Sequence, residues 1–268
     1  MAVQLSKEVI DSYRQDGAVC LRAALDVDSM TQLLDAWTWS MNNKGPLASP
    51  LLQGRDDGWQ DLCNPKSLPH YRDVLLSSPL ADLTAALWGE QDVWFMYEQV
   101  FHKTGGGAAR TPWHQDTSYL TVNGEHLLVM WISFEAIPTP LSLEFVRGSH
   151  RQPLYNTSRF DPTDPTLPIA ESDSVPRLPN INANRAAHDI VSFGVSPGDV
   201  VIFHPSMLHG GAPTDPNHPE RRTLTLRFFG PDARYEERPG PAGPFYPQVQ
   251  NTLTPGAPFR HPRFLKLR

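Results

Sequence analysis

Three side chains, remote from one another in the chain, have the types and spacing to hold one metal ion. His114 and Asp116 lie in Thr111-Pro112-Trp113-His114-Gln115-Asp116, and His209 lies in Phe203-His204-Pro205-Ser206-Met207-Leu208-His209-Gly210-Gly211. Two imidazoles and one carboxylate on one face of an ion leave the opposite face open, which is how a protein holds Fe(II) when dioxygen and a co-substrate must reach the same metal. Side chains two apart on an extended segment project to the same side, so His114 and Asp116 can serve one ion from a single strand or strand end. The same donor set suits catalytic zinc, and a lone His-x-Asp pair is common by chance. The order of parts is more specific. A strand precedes the pair, and a long gap follows it. Then come Pro197-Gly198-Asp199-Val200-Val201-Ile202-Phe203, His209 with two glycines, and Arg221-Arg222 opening another strand.

The arginine pair has a chemical reason to be there. A diacid that chelates iron at one end needs its far carboxylate held, and a guanidinium does this with paired hydrogen bonds and keeps its proton. Strand alternation puts Arg221, Thr223, Thr225 and Arg227 on one face and Arg222, Leu224 and Leu226 on the other. Arg221 with Thr223 is the favoured inward face. The opposite phase, with Arg222 inward, stays open, although it would line a polar site with leucines.

The elements that must position these groups follow from periodicity. Residues 1–90 read as mainly helical. Residues 6–16 form one candidate; Met30, Leu33, Leu34 and Trp37 mark a second, capped by Asp28 or Ser29; Leu80, Leu83 and Leu87 mark a third, with Ser78 as N-cap, Pro79 at its first position and Gly89 as its stop. From residue 91 the period changes to two: Val93, Phe95, Tyr97, Gln99 and Phe101 alternate with Trp94, Met96, Glu98, Val100 and His102. Further strands are predicted over 127–137, 142–147, 189–195, 199–204 and 222–229. Gly105-Gly106-Gly107 is a turn without the frame of a phosphate loop. Helices first and many strands afterwards predict an antiparallel β sandwich or barrel backed by helices, in one domain covering 1–268: a helical part over 1–90, a β core over about 91–230 and a covering segment over 231–268. Many of the 27 prolines lie in 138–180 and 231–262, which should therefore be loops or coverings, and 150–188 reads as a long insertion of the lid or binding-loop kind. With it, Trp59, Phe95, Tyr97 and Trp113 are candidate walls of a substrate pocket.

Composition narrows the partners. The 268 residues carry a net charge of −6, which argues against nucleic acid, and no apolar stretch approaches the roughly 20 residues that span a bilayer. The two cysteines, Cys20 and Cys63, are far apart and form no metal-binding or disulfide framework. A cytoplasmic protein with reduced thiols, acting on a small molecule and binding neither nucleic acid nor membrane, is expected; the oligomeric state is left open.

Taken together, the chain resembles the phytanoyl-CoA dioxygenase family of Fe(II)- and 2-oxoglutarate-dependent oxygenases over nearly its whole length. The resemblance is carried by Ser12-Tyr13-Arg14-Gln15-Asp16-Gly17-Ala18-Val19, by the segment around His114 and Asp116, by Leu143-Glu144-Phe145-Val146-Arg147-Gly148-Ser149-His150-Arg151, by His209-Gly210-Gly211 and by Arg221-Arg222. It implies a double-stranded β-helix (jelly-roll, cupin-like) core with flanking helices, iron on His114, Asp116 and His209, and Arg221 on the distal carboxylate of 2-oxoglutarate. It also places Thr111, Trp131 and Ser149 near the co-substrate, where ordinary barrel packing is the competing explanation. Such enzymes consume O2 and 2-oxoglutarate, release succinate and CO2, and hydroxylate, desaturate or cyclise a substrate; a small metabolite or natural-product intermediate is the expected class here. Asp116 argues against halogenation, which needs a small residue at that place. Ser142 stands where the family has a glycine, which puts the local loop shape in question. A zinc hydrolase on the same three residues and a non-catalytic barrel are the competing functions.

Overall fold

The computed structural model describes residues 4–52, 54–161, 163–172, 175–211, 213–239 and 243–268. The insertion and covering segment expected over 150–188 and 231–268 thus extend over a few positions (162, 173–174 and 240–242) outside the described residues. Residues 4–90 hold four helices, α1 (Lys7–Asp16), α2 (Val27–Asn42), α3 (Leu68–Ser77) and α4 (Leu80–Trp88), and three strands, β1 (Ala18–Leu21), β2 (Ser49–Pro50) and β3 (Gly58–Leu62). The strands that follow are β4 (Trp94–Lys103), β5 (Val122–Asn123), β6 (Leu127–Ser133), β7 (Glu144–Val146), β8 (Ile190–Ser192), β9 (Val200–Phe203), β10 (His209–Gly210), β11 (Arg221–Phe229) and β12 (Arg234–Tyr235), before the short helix α5 (Pro247–Gln250).

Local chemistry sets the helix ends. The Ser6 hydroxyl accepts from Val9 N at the start of α1, and Gly17 closes it with φ 82°, a left-handed conformation that favours glycine. The cap of α2 is Asp26, which accepts from Ser29 N at 2.8 Å, so the helix starts earlier than the apolar stripe suggested. Ser78 does not cap α4. It closes α3, its N–H bonded to Val74 O, while Pro79 takes the cap position of α4. Helix α3 escapes a reading by stripe because Pro69 and His70 occupy its first turn.

Seven antiparallel strands form the major sheet in the order β1-β9-β6-β11-β4-β3-β2; β10-β7-β8 form a second sheet and β12-β5 a pair. The two larger sheets are the halves of a jelly roll. Helices cover the outer face of the major sheet, where Leu224, Leu226 and Phe228 of β11 and Leu128, Met130 and Ile132 of β6 pack with Leu33, Trp37, Tyr71 and Leu75. Each such side chain contributes about 1.5–3 kcal/mol by leaving water, and their alternation fixes which face of β11 turns inward. Inside, Trp131, Phe145, Val201, Phe203 and Met207 fill one part of the barrel. The inward residues of β4 and β11 are largely polar and leave a cavity instead. Tyr246, Val249, Phe259 and Phe264 of the C-terminal segment cover β4, β6 and β11 through Met96, Leu127 and Phe229.

Residues 1–90 are thus less helical than expected: β1, β2 and β3 extend the major sheet. They are short, and β3 carries polar Gln60 and Asp61 where alternation would show apolar side chains. The apolar run 127–137 is not one strand. It ends at Ser133, and Ile137 makes a separate bridge to Val195 with both N–H···O bonds at 2.8 Å. At Ser142 the backbone is extended (φ −95°, ψ −178°), so the loop needs no glycine there. Among the described residues no helix is long and apolar enough to cross a membrane.

Candidate active site

His114 and His209 face each other across a two-residue antiparallel bridge, with each N–H donating to the other's carbonyl at 2.9 Å. This backbone pairing brings residues 95 positions apart into contact without depending on their side chains (209 − 114). Gly210 and Gly211 pass so close to the 110–113 segment that a Cβ on Gly211 would meet Thr111 Oγ1 at 2.9 Å. Beyond His114 the chain turns into a single 3-10 turn, Asp116–Tyr119, anchored by Thr117 N to Pro205 O at 3.0 Å. Arg238 Nε donates to Thr117 O and Leu120 O, and Gln115 Oε1 accepts from Tyr155 N, so the turn is held from both sides.

Hydrogen bonding fixes which imidazole nitrogens face the centre. His114 Nδ1 lies 2.8 Å from Pro112 O and His209 Nδ1 2.9 Å from Met207 O. A carbonyl oxygen only accepts, so both Nδ1 atoms carry hydrogen and both Nε2 atoms present lone pairs. These Nε2 atoms lie 3.4 Å (His114) and 3.9 Å (His209) from Asp116 Oδ1. The three donors lie within 4.8 Å of one another, and they are the one such group found among the described residues. Ligand bonds of about 2.1 Å span donor separations of about 3–4 Å depending on angle, so a divalent ion fits among them.

Charge supports the same conclusion. Burial opposes ionisation of Asp116, yet Arg227, with His114 and His209, holds its carboxyl well below the usual range. Burial, and then His114 beside it, lower His209 to about 3, so its imidazole is neutral and its lone pair available at ordinary pH. Asp116 uses its two oxygens separately. Oδ1 faces the histidines, while Oδ2 accepts from Arg227 Nη2 at 2.7 Å. Arg227 stacks over Tyr97 with 4.7 Å to the ring centre.

The three donors open into a cavity of about 310 Å3. Arg221 lines it, buried, with Nη2 donating to Leu141 O at 2.5 Å and Pro213 O at 2.9 Å. Beside it in register is Lys103, which burial and then the Arg221 charge lower to about 7. Arg222 points away from the cavity and pairs with Glu135 at 2.5 Å. Of the two phases left open by alternation, the structure has Arg221 inward. Thr111, Trp131 and Thr223 also line the cavity.

Ser149 does not. It is fully buried behind His209, its hydroxyl accepting from Leu208 N at 2.8 Å and lying 3.6 Å from Met207 Sδ. Of the aromatic wall residues expected, Tyr97 lines the cavity, as does Phe160 from the 150–188 segment. Phe95 belongs to the core under the helices and Trp59 packs against that core. Trp113 turns outward, its indole N–H bonded to Asn182 Oδ1 at 2.9 Å. Sequence reasoning missed Lys103, Gln60, Gln99, Leu47 and Phe245 as wall residues. It set Arg227 on the right face, but no local signal pairs it with an aspartate 111 positions away.

The phytanoyl-CoA dioxygenase (PhyH) family profile matches residues 13–222. No curated protein matches the sequence. Among solved structures, the chain is similar to the non-heme alpha ketoglutarate dependent carbocyclase SnoK from nogalamycin biosynthesis, with TM-score 0.74 and 20% identity over 98% of this chain and 97% of that one. It is similar to the epimerase SnoN in complex with Fe3+, alpha ketoglutarate and nogalamycin RO, with TM-score 0.71 and 17% identity over 98% of each chain. It is also similar to EctD from S. alaskensis with 2-oxoglutarate and 5-hydroxyectoine, with TM-score 0.67 and 18% identity over 95% of this chain and 85% of that one. These likenesses establish the shared fold, while the family match covers most of the chain, including the three metal donors. The chain belongs to the phytanoyl-CoA dioxygenase (PhyH) family and is a non-haem iron, 2-oxoglutarate-dependent oxygenase.

Proposed function

We propose that the protein, acting as one domain, hydroxylates a small-molecule metabolite or natural-product intermediate, with desaturation and ring formation as related outcomes of the same chemistry. The observation that carries this reading is the sharing of one cavity by two unlike groups: the His114–Asp116–His209 donors and the inward-facing Arg221 beside Lys103. Iron bound at the three donors, with 2-oxoglutarate, supplies oxidative decarboxylation to succinate and CO2 coupled to attack on a substrate C–H bond.

The chain's own residues do the positioning. His114 and His209 offer Nε2, with the ring orientation held by the Pro112 and Met207 carbonyls. Asp116 offers one oxygen while Arg227 restrains the other. In our reading, Arg221 grips the far carboxylate of the co-substrate, its fork aimed by Leu141 O and Pro213 O, with Thr223 adjacent on the same face. Trp131 and Thr111 bound the space between, and Phe160 and Phe245 help keep water from the reacting end. A zinc hydrolase would leave the buried Arg221 and Lys103 in the cavity without a role. Both cysteines are free, which suits the cytoplasm as the site of action.

Anaerobic addition of Fe(II) and 2-oxoglutarate tests the reading. A visible charge-transfer band should form, and His114→Ala should abolish it together with succinate production. Hydrolysis sustained by zinc without oxygen would support the competing function instead.

A further inference from the structure

Six ionisable side chains other than tyrosines line the cavity: Lys103, His114, Asp116, His209, Arg221 and Arg227. Every one of them has a task or partner that a substrate cannot take over. Three are metal donors. Arg227 is bonded to Asp116 Oδ2 at 2.7 Å and to Thr225 Oγ1 at 3.2 Å. Arg221 and Lys103 sit side by side, donating to backbone carbonyls, in the part of the cavity assigned above to the co-substrate. Around the remaining space stand Leu62 of β3 and Leu47, Leu120, Phe160 and Phe245 from the connecting and covering segments.

Among these walls is a paired polar feature with unused capacity. Gln99 Nε2 donates to Gln60 Oε1 at 2.9 Å. One bond between two amides leaves one carbonyl oxygen and one NH2 group to spare, whichever way the two amides are assigned. The spare NH2, on Gln60, reaches only Ser49 Oγ, at 3.5 Å. A donor and an acceptor therefore stand side by side on neighbouring strands, facing the cavity beside Leu47 and Leu62.

We propose that the substrate is small and uncharged, with an apolar body and one neutral donor–acceptor group of the amide or lactam kind, read by Gln60 and Gln99. This rests on the oxygenase reading given above. Charge decides against the alternatives. The cations of the cavity, Arg221 and Arg227 together with a bound divalent metal, repel an ammonium. An anion finds no counter-charge of its own, because each of these cations is committed to Asp116 or to the co-substrate, and burying an ion without one costs on the order of a hundredfold or above in affinity. Size limits the substrate as well. Single ligands commonly occupy about 300–1,000 Å3, and here about 310 Å3 must hold both co-substrate and substrate.

The test uses the full chain loaded with Zn(II) and 2-oxoglutarate, which binds without turning over. Three probes share one skeleton: 3-phenylpropanamide, 3-phenylpropanoate and 3-phenylpropylammonium, with dissociation constants read by titration calorimetry or ligand-observed NMR. The amide should bind at least about tenfold more tightly than either ion. Gln99→Leu and Gln60→Leu should each remove most of that advantage and leave the Fe(II)–2-oxoglutarate band in place. Equal or tighter binding of either ion, no binding of any probe, or an unchanged amide affinity in both variants would overturn the proposal. Absence of the band in the unaltered protein would instead overturn the oxygenase reading, whatever the probes do.

Discussion

Arg227→Met removes the one cation bonded to Asp116. The guanidinium and carboxylate side chains are 6% and 11% exposed, and their 2.7 Å bond is the partner of Oδ2. Taking away one member of a buried pair costs about 3–5 kcal/mol, because the other charge stays behind uncompensated. Burial keeps His209 neutral, so it adds no full charge to replace the guanidinium. For a chain of this size each kcal/mol moves the melting temperature by about 2–4 °C, so metal-free variant should melt about 6–20 °C lower than the unaltered protein. A divalent ion at the three donors supplies positive charge to the same carboxylate, so Mn(II) should restore a large part of the loss. The stabilisation that Mn(II) confers should therefore be greater in the variant than in the original protein. Arg227→Lys keeps the charge but loses the planar fork and the stacking on Tyr97, and should fall between. Calorimetry with EDTA and with Mn(II) reads both quantities. A metal-free variant melting within about 2 °C of the original, or an equal loss with and without metal, would refute the argument that Arg227 acts through Asp116.

Arg221→Met should raise KM for 2-oxoglutarate by about 10–100-fold in a succinate assay, whereas Arg222→Met, which breaks only the outward pair with Glu135, should change it by less than about threefold. Ser149→Ala leaves the buried Leu208 N–H without its acceptor and should cost about 1–3 kcal/mol in denaturant unfolding, with KM for 2-oxoglutarate unchanged because Ser149 lies outside the cavity. Glu98 faces the α3 side of β4, where burial raises its carboxyl from 4.5 to about 7 despite bonds from Asn64 N and Ser67. The folded state then binds a proton that the unfolded state releases, so this stability is complete below about pH 4.5 and is lost as pH rises through about 7. At about 1.4 kcal/mol per pH unit the loss is about 3–4 kcal/mol, and Glu98→Gln should flatten this part of the stability–pH curve; a curve parallel to the original would refute the assignment.

The metal donors were legible because their chemistry is local: His-x-Asp is two residues of one segment, and His209 follows a run whose apolar residues already specify a buried strand. Arg221 was legible for a different reason. The outer face of β11 is fixed by Leu224, Leu226 and Phe228 against the helices, and alternation then leaves Arg221 no direction but inward. The same rule turned Arg227 inward, yet gave it no task, because its task depends on a carboxylate delivered by the turn after His114. Trp113 shows where a pattern misleads: it stands between cavity-lining Thr111 and His114, yet at the bridge the alternation sends it outward to Asn182. The far walls were illegible altogether. Leu47, Gln60 and Phe245 lie on a loop, the short strand β3 next to the sheet edge and the covering segment, and each meets the cavity only through tertiary packing. His209 and Arg221 sit on strands whose faces are dictated by the core. Leu47, Phe160 and Phe245 sit on segments whose placement is dictated by what they cover. Reaction class is accordingly written in short motifs, and substrate choice in contacts that no spacing rule reaches, which is why Gln60 and Gln99 emerge only when β3 is seen beside β4.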